Sequence, residues 1–262
     1  MKLTDTRYEV DRGLAWITID RPERMNSFRA RTVDELIQSF TRAWADPDVR
    51  VVCLTGEGER AFSTGGDQKQ RAETGDYGPS ETGLFQVERL HRLIREVPKP
   101  VIAAVNGYAI GGGHVLHVLC DITIAVEDAR FGQVGPRVGS FDAGFGSTYL
   151  ARVVGEKRAR EIWFRCKQYD AATAERWGLV NSVVPRERLR DEVREWADDM
   201  IALSPTALRF LKQSFNADSE HLAGQAALAF SGLEQFVTSE EAREGIAAFD
   251  EKRPPDFGRF RG

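Results

Sequence analysis

The stretch from Val101 to Asp121, VIAAVNGYAIGGGHVLHVLCD, constrains this chain more than any other. Its first five residues are uninterrupted apolar, as in a short strand buried on both faces. Asn106-Gly107 makes a turn, three glycines stand at Gly111 to Gly113, and a second apolar run, Val115 to Cys120, ends at Asp121. A glycine triplet ahead of a helix has two uses. It brings backbone close to a ligand and exposes N–H groups at the positive end of the helix dipole, where developing negative charge is stabilised. It equally lets a helix pack tightly on a sheet. The triplet alone does not choose between them.

Around this stretch the chain alternates strands and helices for about 180 residues and then turns helical. Tyr8 to Val10 and Leu14 to Ile19 read as a hairpin about Asp11-Arg12-Gly13. RPERMNSFRA is a basic loop, after which Thr32 should cap an amphipathic helix with Val33, Leu36, Ile37 and Phe40 on one face. Val51 to Leu54 is a strand. The following Gly56 to Ala61 formally fits a dinucleotide fingerprint, set aside because FSTGGDQ should not open the required helix. Lys69 to about Thr82 reads as a mobile loop, and about Phe85 to Arg95 as a helix. Ile122 to Ala125 is another strand, followed by a second glycine-rich segment, FGQVGPRVGSFDAGFGS. Helices are expected over Tyr149–Val154 and Ala159–Phe164, then one from the cap Asp170 to Trp177, stopped by Gly178.

In the last third, Arg188 to Ala202 is amphipathic, and Ser204-Pro205 is a helix start: a capping hydroxyl, then proline in the first turn. Leu208, Leu211 and Phe215 make the apolar stripe of that helix. Two more helices span about His221–Phe236 and Ser239–Phe249, before the basic, aromatic tail EKRPPDFGRFRG. The expected organisation is an α/β core over residues 1–200 carrying the site, with a helical region over 201–262.

Bulk properties exclude several classes. With 42% hydrophobic and 29% charged residues in 262, the chain can bury a sizeable core. A net charge of −4 argues against nucleic acid as a partner. Cys53, Cys120 and Cys166 lack metal-ligand spacing and suit a reducing cytoplasm. His114 and His117 stand three apart, yet no third ligand nearby supports a metal. No apolar run is long enough to cross a bilayer, and the N-terminus lacks a signal-peptide core.

FSTGGDQ and AVNGYAIGGGHVLHVLCD, in this order and at this spacing, resemble the crotonase (enoyl-CoA hydratase/isomerase) superfamily from the N-terminal hairpin to PPDFGRF. The resemblance implies a spiral of ββα turns with a C-terminal helical region that packs around homotrimers or homohexamers. It implies a coenzyme A thioester as substrate, its oxygen held by the backbone N–H groups of Gly66 and Gly112 as enolate charge develops. It also implies CoA contacts from Arg24, Ser63, Gly65, Asp67, Gln68 and a neighbouring subunit's Lys252. Hydratases of this family carry two glutamates that handle water; here Val115 and Gly135 stand in their places. Ordinary hydration is therefore not expected.

GGDQKQR, FGQVGPRVGSFDAGFGS, AREIWFRCKQYDA and SPTALRFLKQSFNAD resemble the 1,4-dihydroxy-2-naphthoyl-CoA synthase branch, which closes a ring in menaquinone biosynthesis by an intramolecular Claisen (Dieckmann) condensation of o-succinylbenzoyl-CoA. By that likeness Asp142, with Ser140, shuttles protons at the reacting carbons. Gln133, Gly135 and Trp163 match positions that hold bicarbonate, for which the lost glutamate leaves room. Lys69 and Arg71 meet the substrate carboxylate; apart from the likeness, Tyr77 on the mobile loop, or water, is the alternative proton donor to the tyrosine that the branch carries. Read without the family, Asp142 is a turn former, Gln133 and Trp163 are core, and Lys69 and Arg71 are solvated charges.

One position departs from the branch. Where a tyrosine is expected the chain has Phe236 beside Val237, neither with a proton to give. Its five tyrosines lie elsewhere. A related branch, 2-ketocyclohexanecarboxyl-CoA hydrolase, opens a cyclic β-ketoacyl-CoA and fits VPKPVIA, GYAIGGG and ARVVGEKRAREIW as well. Lys69 and Arg71 favour the synthase, because a ring hydrolase has no second carboxylate for them. A non-catalytic acyl-CoA-binding relative is the third reading, resting on Phe236.

Overall fold

The computed structural model describes residues 2–260; Met1, Arg261 and Gly262 lie outside them. In chain order its elements are β1 Thr6–Asp11, β2 Leu14–Ile19, α1 Ala30–Ala45, β3 Val51–Gly56, β4 Ala61–Ser63, α2 Gln68–Thr74, α3 Val87–Glu96, β5 Val101–Val105, β6 Tyr108–Ile110, α4 Gly112–Leu119, β7 Ile122–Val126 and β8 Arg130–Gly132. There follow α5 Leu150–Val154, α6 Glu156–Arg165, β9 Gln168–Asp170, α7 Ala171–Arg176, β10 Ser182–Val184, α8 Leu189–Ile201, α9 Pro205–Ala217, α10 Leu222–Phe236 and α11 Glu240–Asp250.

The strands form two sheets. A six-stranded sheet runs β1-β2-β3-β5-β7-β10, and a four-stranded sheet runs β4-β6-β8-β9. Three successive strand pairs, β3-β4, β5-β6 and β7-β8, each place one strand in the first sheet and the next in the second. That is a spiral of ββα turns. Among the described residues only β1-β2 and β8-β9 pair antiparallel; every other ladder is parallel. Parallel strands are covered on both faces, which is why β2, β3 and β5 are buried at every residue and read as solid apolar runs.

Several local expectations change. Arg29, not Thr32, is the N-cap of α1, and Thr32 sits one turn in, its Oγ1 accepting from the Arg29 N–H at 3.2 Å. FSTGGDQ does open a helix: Asp67 caps α2, its Oδ1 accepting from Gln70 N at 3.0 Å. The fingerprint at Gly56 still fails, because Gly56 to Ala61 leads from β3 into β4 and not into a helix. The loop expected from Lys69 is therefore helical to Thr74, closed by Gly75 in the left-handed region at φ +84°. Past it, Tyr77 stacks on Phe85 with centroids 4.3 Å apart.

On α9 the apolar stripe turns outward. Leu211 and Phe215 are 54% and 79% exposed, while Lys212 faces the core and meets Asp121 at 2.7 Å and the carbonyls of Ile94 and Lys99. The caps Asp170 and Ser204 stand where the sequence puts them, and Ser239, expected as the first residue of the last helix, is its N-cap. Among the described residues no helix is long and apolar enough to cross a membrane.

Candidate active site

The first glycine segment is held from below. Arg21 pairs with Asp67 at 2.8 Å, both side chains under 10% exposed, and Asn26 donates to the carbonyls of Ala61 and Glu57. Phe28 then runs beside Gly66 as a one-residue parallel bridge, its N–H donating to Gly65 O at 2.8 Å and its carbonyl accepting from Asp67 N at 2.9 Å. That pairing turns the Gly66 N–H away from Phe28, and it has no backbone acceptor among the described residues. Gly112, first residue of α4, likewise leaves its N–H without a backbone acceptor, as helix starts do.

These two donors are brought together by close backbone approach. A Cβ on Gly65 would lie 2.6 Å from Gly112 N, and one on Gly113 would lie 2.0 Å from Ser63 O. Phe28 covers Gly112, and the Tyr77 ring lies on Gly66, with its hydroxyl 2.8 Å from where a Gly66 Cβ would be. Gln68 Nε2 reaches Gly66 O and the Tyr77 hydroxyl at 3.3 and 3.4 Å. The triplet thus serves both uses at once: Gly113 for packing, Gly112 for an open N–H. Two unpaired N–H groups side by side at a helix N-terminus favour an oxygen that gains negative charge.

The second glycine segment begins beside the first, since Gly111 N donates to Gly132 O at 2.9 Å. Buried Gln133 approaches His114 Nδ1 at 3.4 Å. Burial pushes His114 down to about 3, so its imidazole is neutral. Asp142 Oδ1 accepts from Gly144 N at 3.1 Å and Gly146 N at 3.0 Å, and Trp163 Nε1 donates to Gly146 O at 2.7 Å. The loop is clamped from above by the chain's own C-terminal helices. Gly144 lies on Ala226 of α10, Phe141 on Phe236 with centroids 5.5 Å apart, and Gly139 on Ala242 and Gly245 of α11.

The room expected at Gly135 is filled. A Cβ there would meet Ser140 O at 2.7 Å and Trp163 Cζ3 at 3.0 Å, so the indole ring and loop backbone take the space left by a side chain.

A cavity of about 550 Å³ opens between α2 and α11, walled by Val237, Ile246 and Ala247 and reached by Arg71 and Arg243. Arg71 is 5% exposed, and both its terminal nitrogens lack a partner among the described residues. Its guanidinium carbon stands 6.0 Å from the Tyr77 ring centroid.

The expected residues thus fall into three groups. Gly65, Gly66, Gln68, Tyr77 and Gly112 come together. Gln133, Gly135, Ser140 and Asp142 lie on the adjoining loop, and Trp163 of α6 packs on it. Arg24 is half-buried, and Lys69 and Lys252 are exposed. Ser63 is fully buried with its hydroxyl accepting from Gly65 N, and both oxygens of Asp67 are engaged by Gln70 N and Arg21, so these two side chains build the loop. Sequence reasoning missed Phe28 and Arg243. Phe28 gives no signal in the sequence, whereas Arg243 shares a helical face with Ile246, Ala247 and Asp250. Among the described residues no group of three or more His, Cys, Asp or Glu side chains is placed to hold a metal.

Residues 9–259 match the protein family described as enoyl-CoA hydratase/isomerase. The chain is similar in structure to an enoyl-CoA hydratase from Mycobacterium avium subsp. paratuberculosis K-10, at TM-score 0.86 and 28% identity over 98% of this chain and 99% of that one. It is similar to an enoyl-CoA hydratase/isomerase from Pseudoalteromonas atlantica T6c, at TM-score 0.86 and 27% identity over 97% and 100%. A carnitinyl-CoA hydratase from Mycobacterium avium gives TM-score 0.84 and 29% identity over 97% and 98%.

Proposed function

The chain belongs to the enoyl-CoA hydratase/isomerase family of acyl-CoA-processing enzymes, and from that premise we propose that it closes a ring on an acyl-CoA carrying a second carboxylate, of the o-succinylbenzoyl-CoA kind. The observation that carries this reading is Arg71. Arg71 lines the cavity, and its buried guanidinium, with no partner among the described residues, costs stability unless an anion meets it. A substrate carboxylate supplies that anion in bidentate form.

In this reading the thioester oxygen lies between the N–H groups of Gly66 and Gly112. As the carbon beside the thioester loses its proton, charge moves onto that oxygen, and preorganised donors stabilise it without reorganisation. Asp142 carries protons at the reacting carbons. Its Oδ1 is tied down by two backbone N–H groups, which fixes the carboxylate while Oδ2 does the exchange. The nucleophilic carbon attacks the carboxyl carbon held by Arg71, a carbon–carbon bond forms and one carboxyl C–O bond breaks. The oxygen leaves as water with two protons, one carried to it by Asp142 from the carbon beside the thioester and one from the carboxyl group or solvent. Arg24 and Lys252 are kept for CoA phosphates, and the outward apolar residues of α9 support assembly of the 201–262 region into homotrimers or homohexamers.

The similar structures bear hydratase names, but hydration here lacks its pair of carboxylates: Val115 is buried and Gly135 has no side chain. Ring opening of a cyclic β-ketoacyl-CoA is the second reading, favoured by Trp163. Its indole N–H is committed to Gly146 O, which leaves bicarbonate without that donor. Purified protein should convert o-succinylbenzoyl-CoA to the naphthoyl-CoA chromophore and leave crotonyl-CoA unhydrated. Intact o-succinylbenzoyl-CoA together with opening of a cyclic β-ketoacyl-CoA selects the second reading, and hydration of crotonyl-CoA overturns both.

A further inference from the structure

Arg95, on α3, lies outside every residue set considered so far. It is 5% exposed and makes no ion pair among the described residues. Its guanidinium carbon stands 5.3 Å from the centroid of Phe145 and 4.5 Å from that of Tyr149. Those two rings are the first and last residues of a single π-helical turn, Phe145–Tyr149. Such turns are rare and concentrate at functional sites. The turn contains Gly146, whose N–H binds Asp142 and whose carbonyl accepts from Trp163.

The other side of Arg95 is anchored. Nη2 donates to Ser219 Oγ at 2.8 Å, and Asn216 Nδ2 donates to the Arg95 carbonyl at 2.8 Å. The guanidinium therefore joins α3, the junction of α9 and α10, and the turn behind Asp142. One helical turn earlier, buried His91 packs against Phe145 at 6.5 Å and Phe230 at 5.8 Å, with neither ring nitrogen partnered.

A buried guanidinium without a counter-ion is an expensive way to fill this space. Contacts with two aromatic faces return less than its desolvation costs. Methionine or leucine would pack the same stem more cheaply. What an apolar residue does not reproduce is a planar cation that fixes the orientation of two rings at once.

We propose that Arg95 is a positioning residue for Asp142: by clamping Phe145 and Tyr149 it holds the π-turn whose Gly146 amide, with that of Gly144, aims the Asp142 carboxylate at the substrate. This rests on the reading of Asp142 as the proton carrier.

The test uses full-length Arg95→Met, Arg95→Lys and Asp142→Asn. Hydrogen exchange over residues 142–149 needs no substrate. Arg95→Met speeds exchange of that segment at least tenfold, Arg95→Lys restores most of the protection, and the melting temperature of both stays close to the parent. Turnover of o-succinylbenzoyl-CoA then falls about 10–100-fold in Arg95→Met with KM changed less than threefold, the split expected when a group acts only in the chemical step. Unchanged exchange in Arg95→Met overturns the proposal whatever the substrate. Full turnover in Arg95→Met beside a dead Asp142→Asn overturns it while leaving the function standing. Full turnover in Asp142→Asn overturns both.

Discussion

The two glycine-rich segments look alike in sequence and do opposite things with their amides. At Gly66 and Gly112 the N–H groups are left open by a strand bridge and a helix start. At Gly144 and Gly146 the N–H groups are consumed by the Asp142 carboxylate. The first segment leaves backbone donors open; the second spends backbone on holding a side chain. Glycine supplies close approach in both, so glycine content alone does not tell a binding loop from a positioning loop. The fate of each amide does.

The largest effect that sharpens this contrast is Gly113→Ala. Its Cβ would stand 2.0 Å from Ser63 O, backbone against backbone, so α4 shifts off β4. A loss above about 3 kcal/mol is expected, seen as loss of soluble protein or a collapsed melting temperature. Gly75→Ala is the control: φ is +84° and ψ −9°, but nothing lies within 4 Å, so only left-handed conformational strain of about 1–2 kcal/mol applies. Equal tolerance of the two would break the account of the first segment.

Asp142→Asn keeps the shape of the second segment and removes its exchangeable charge. Turnover should fall about 10²–10⁴-fold, the range for a general acid–base group, with KM nearly unchanged. A rise in KM alone would make Asp142 a binding residue. Next in size, Arg71→Leu should weaken a dicarboxylic acyl-CoA by about 1.5–3 kcal/mol and leave a monocarboxylic acyl-CoA unaffected, measured by calorimetry with each ester. Equal loss for both esters removes the carboxylate from the site.

The smallest effect concerns pH. Burial holds His114 at about 3, against an unfolded value near 6.5. Between those values the unfolded chain binds a proton that the folded chain refuses, so stability is fully present above about pH 6.5 and declines as pH falls toward 3. From pH 7.5 to 5 this contributes about 1–2 kcal/mol of lost stability, which His114→Gln should remove. An unchanged pH slope in that variant would place the titration elsewhere, His117 being the first alternative since burial lowers it as well.

What the sequence makes legible follows from element length and environment. The solid runs of β2, β3 and β5 and the caps Asp170 and Ser204 are readable because burial on both faces and capping are local signals. The four-stranded sheet is not readable: AFS, YAI, RFG and QYD are three residues each, too short for any period to show. α2 is hidden because its glycine-rich approach reads as a loop, although Asp67 stands at its cap. Within the site, Gly66, Gly112 and Asp142 are visible through family likeness. The filled space at Gly135 depends on Trp163, 28 positions away, and the cavity beside Arg71 on Val237 to Glu251, 166 to 180 positions away, and no local pattern carries them.

The clamp of α10 and α11 on the Asp142 loop also sets an order of assembly. Gly139 and its partner Ala242 are made 103 residues apart, as are Phe141 and Phe236 at 95. A ribosome adding roughly 5–20 residues per second delivers the two halves about 5–20 s apart, far longer than helix formation takes. For that interval the nascent chain holds paired strands and open amides but an uncovered Asp142 loop. Competence for chemistry then arrives with the last helices, after the sheets that carry the first glycine segment have already formed.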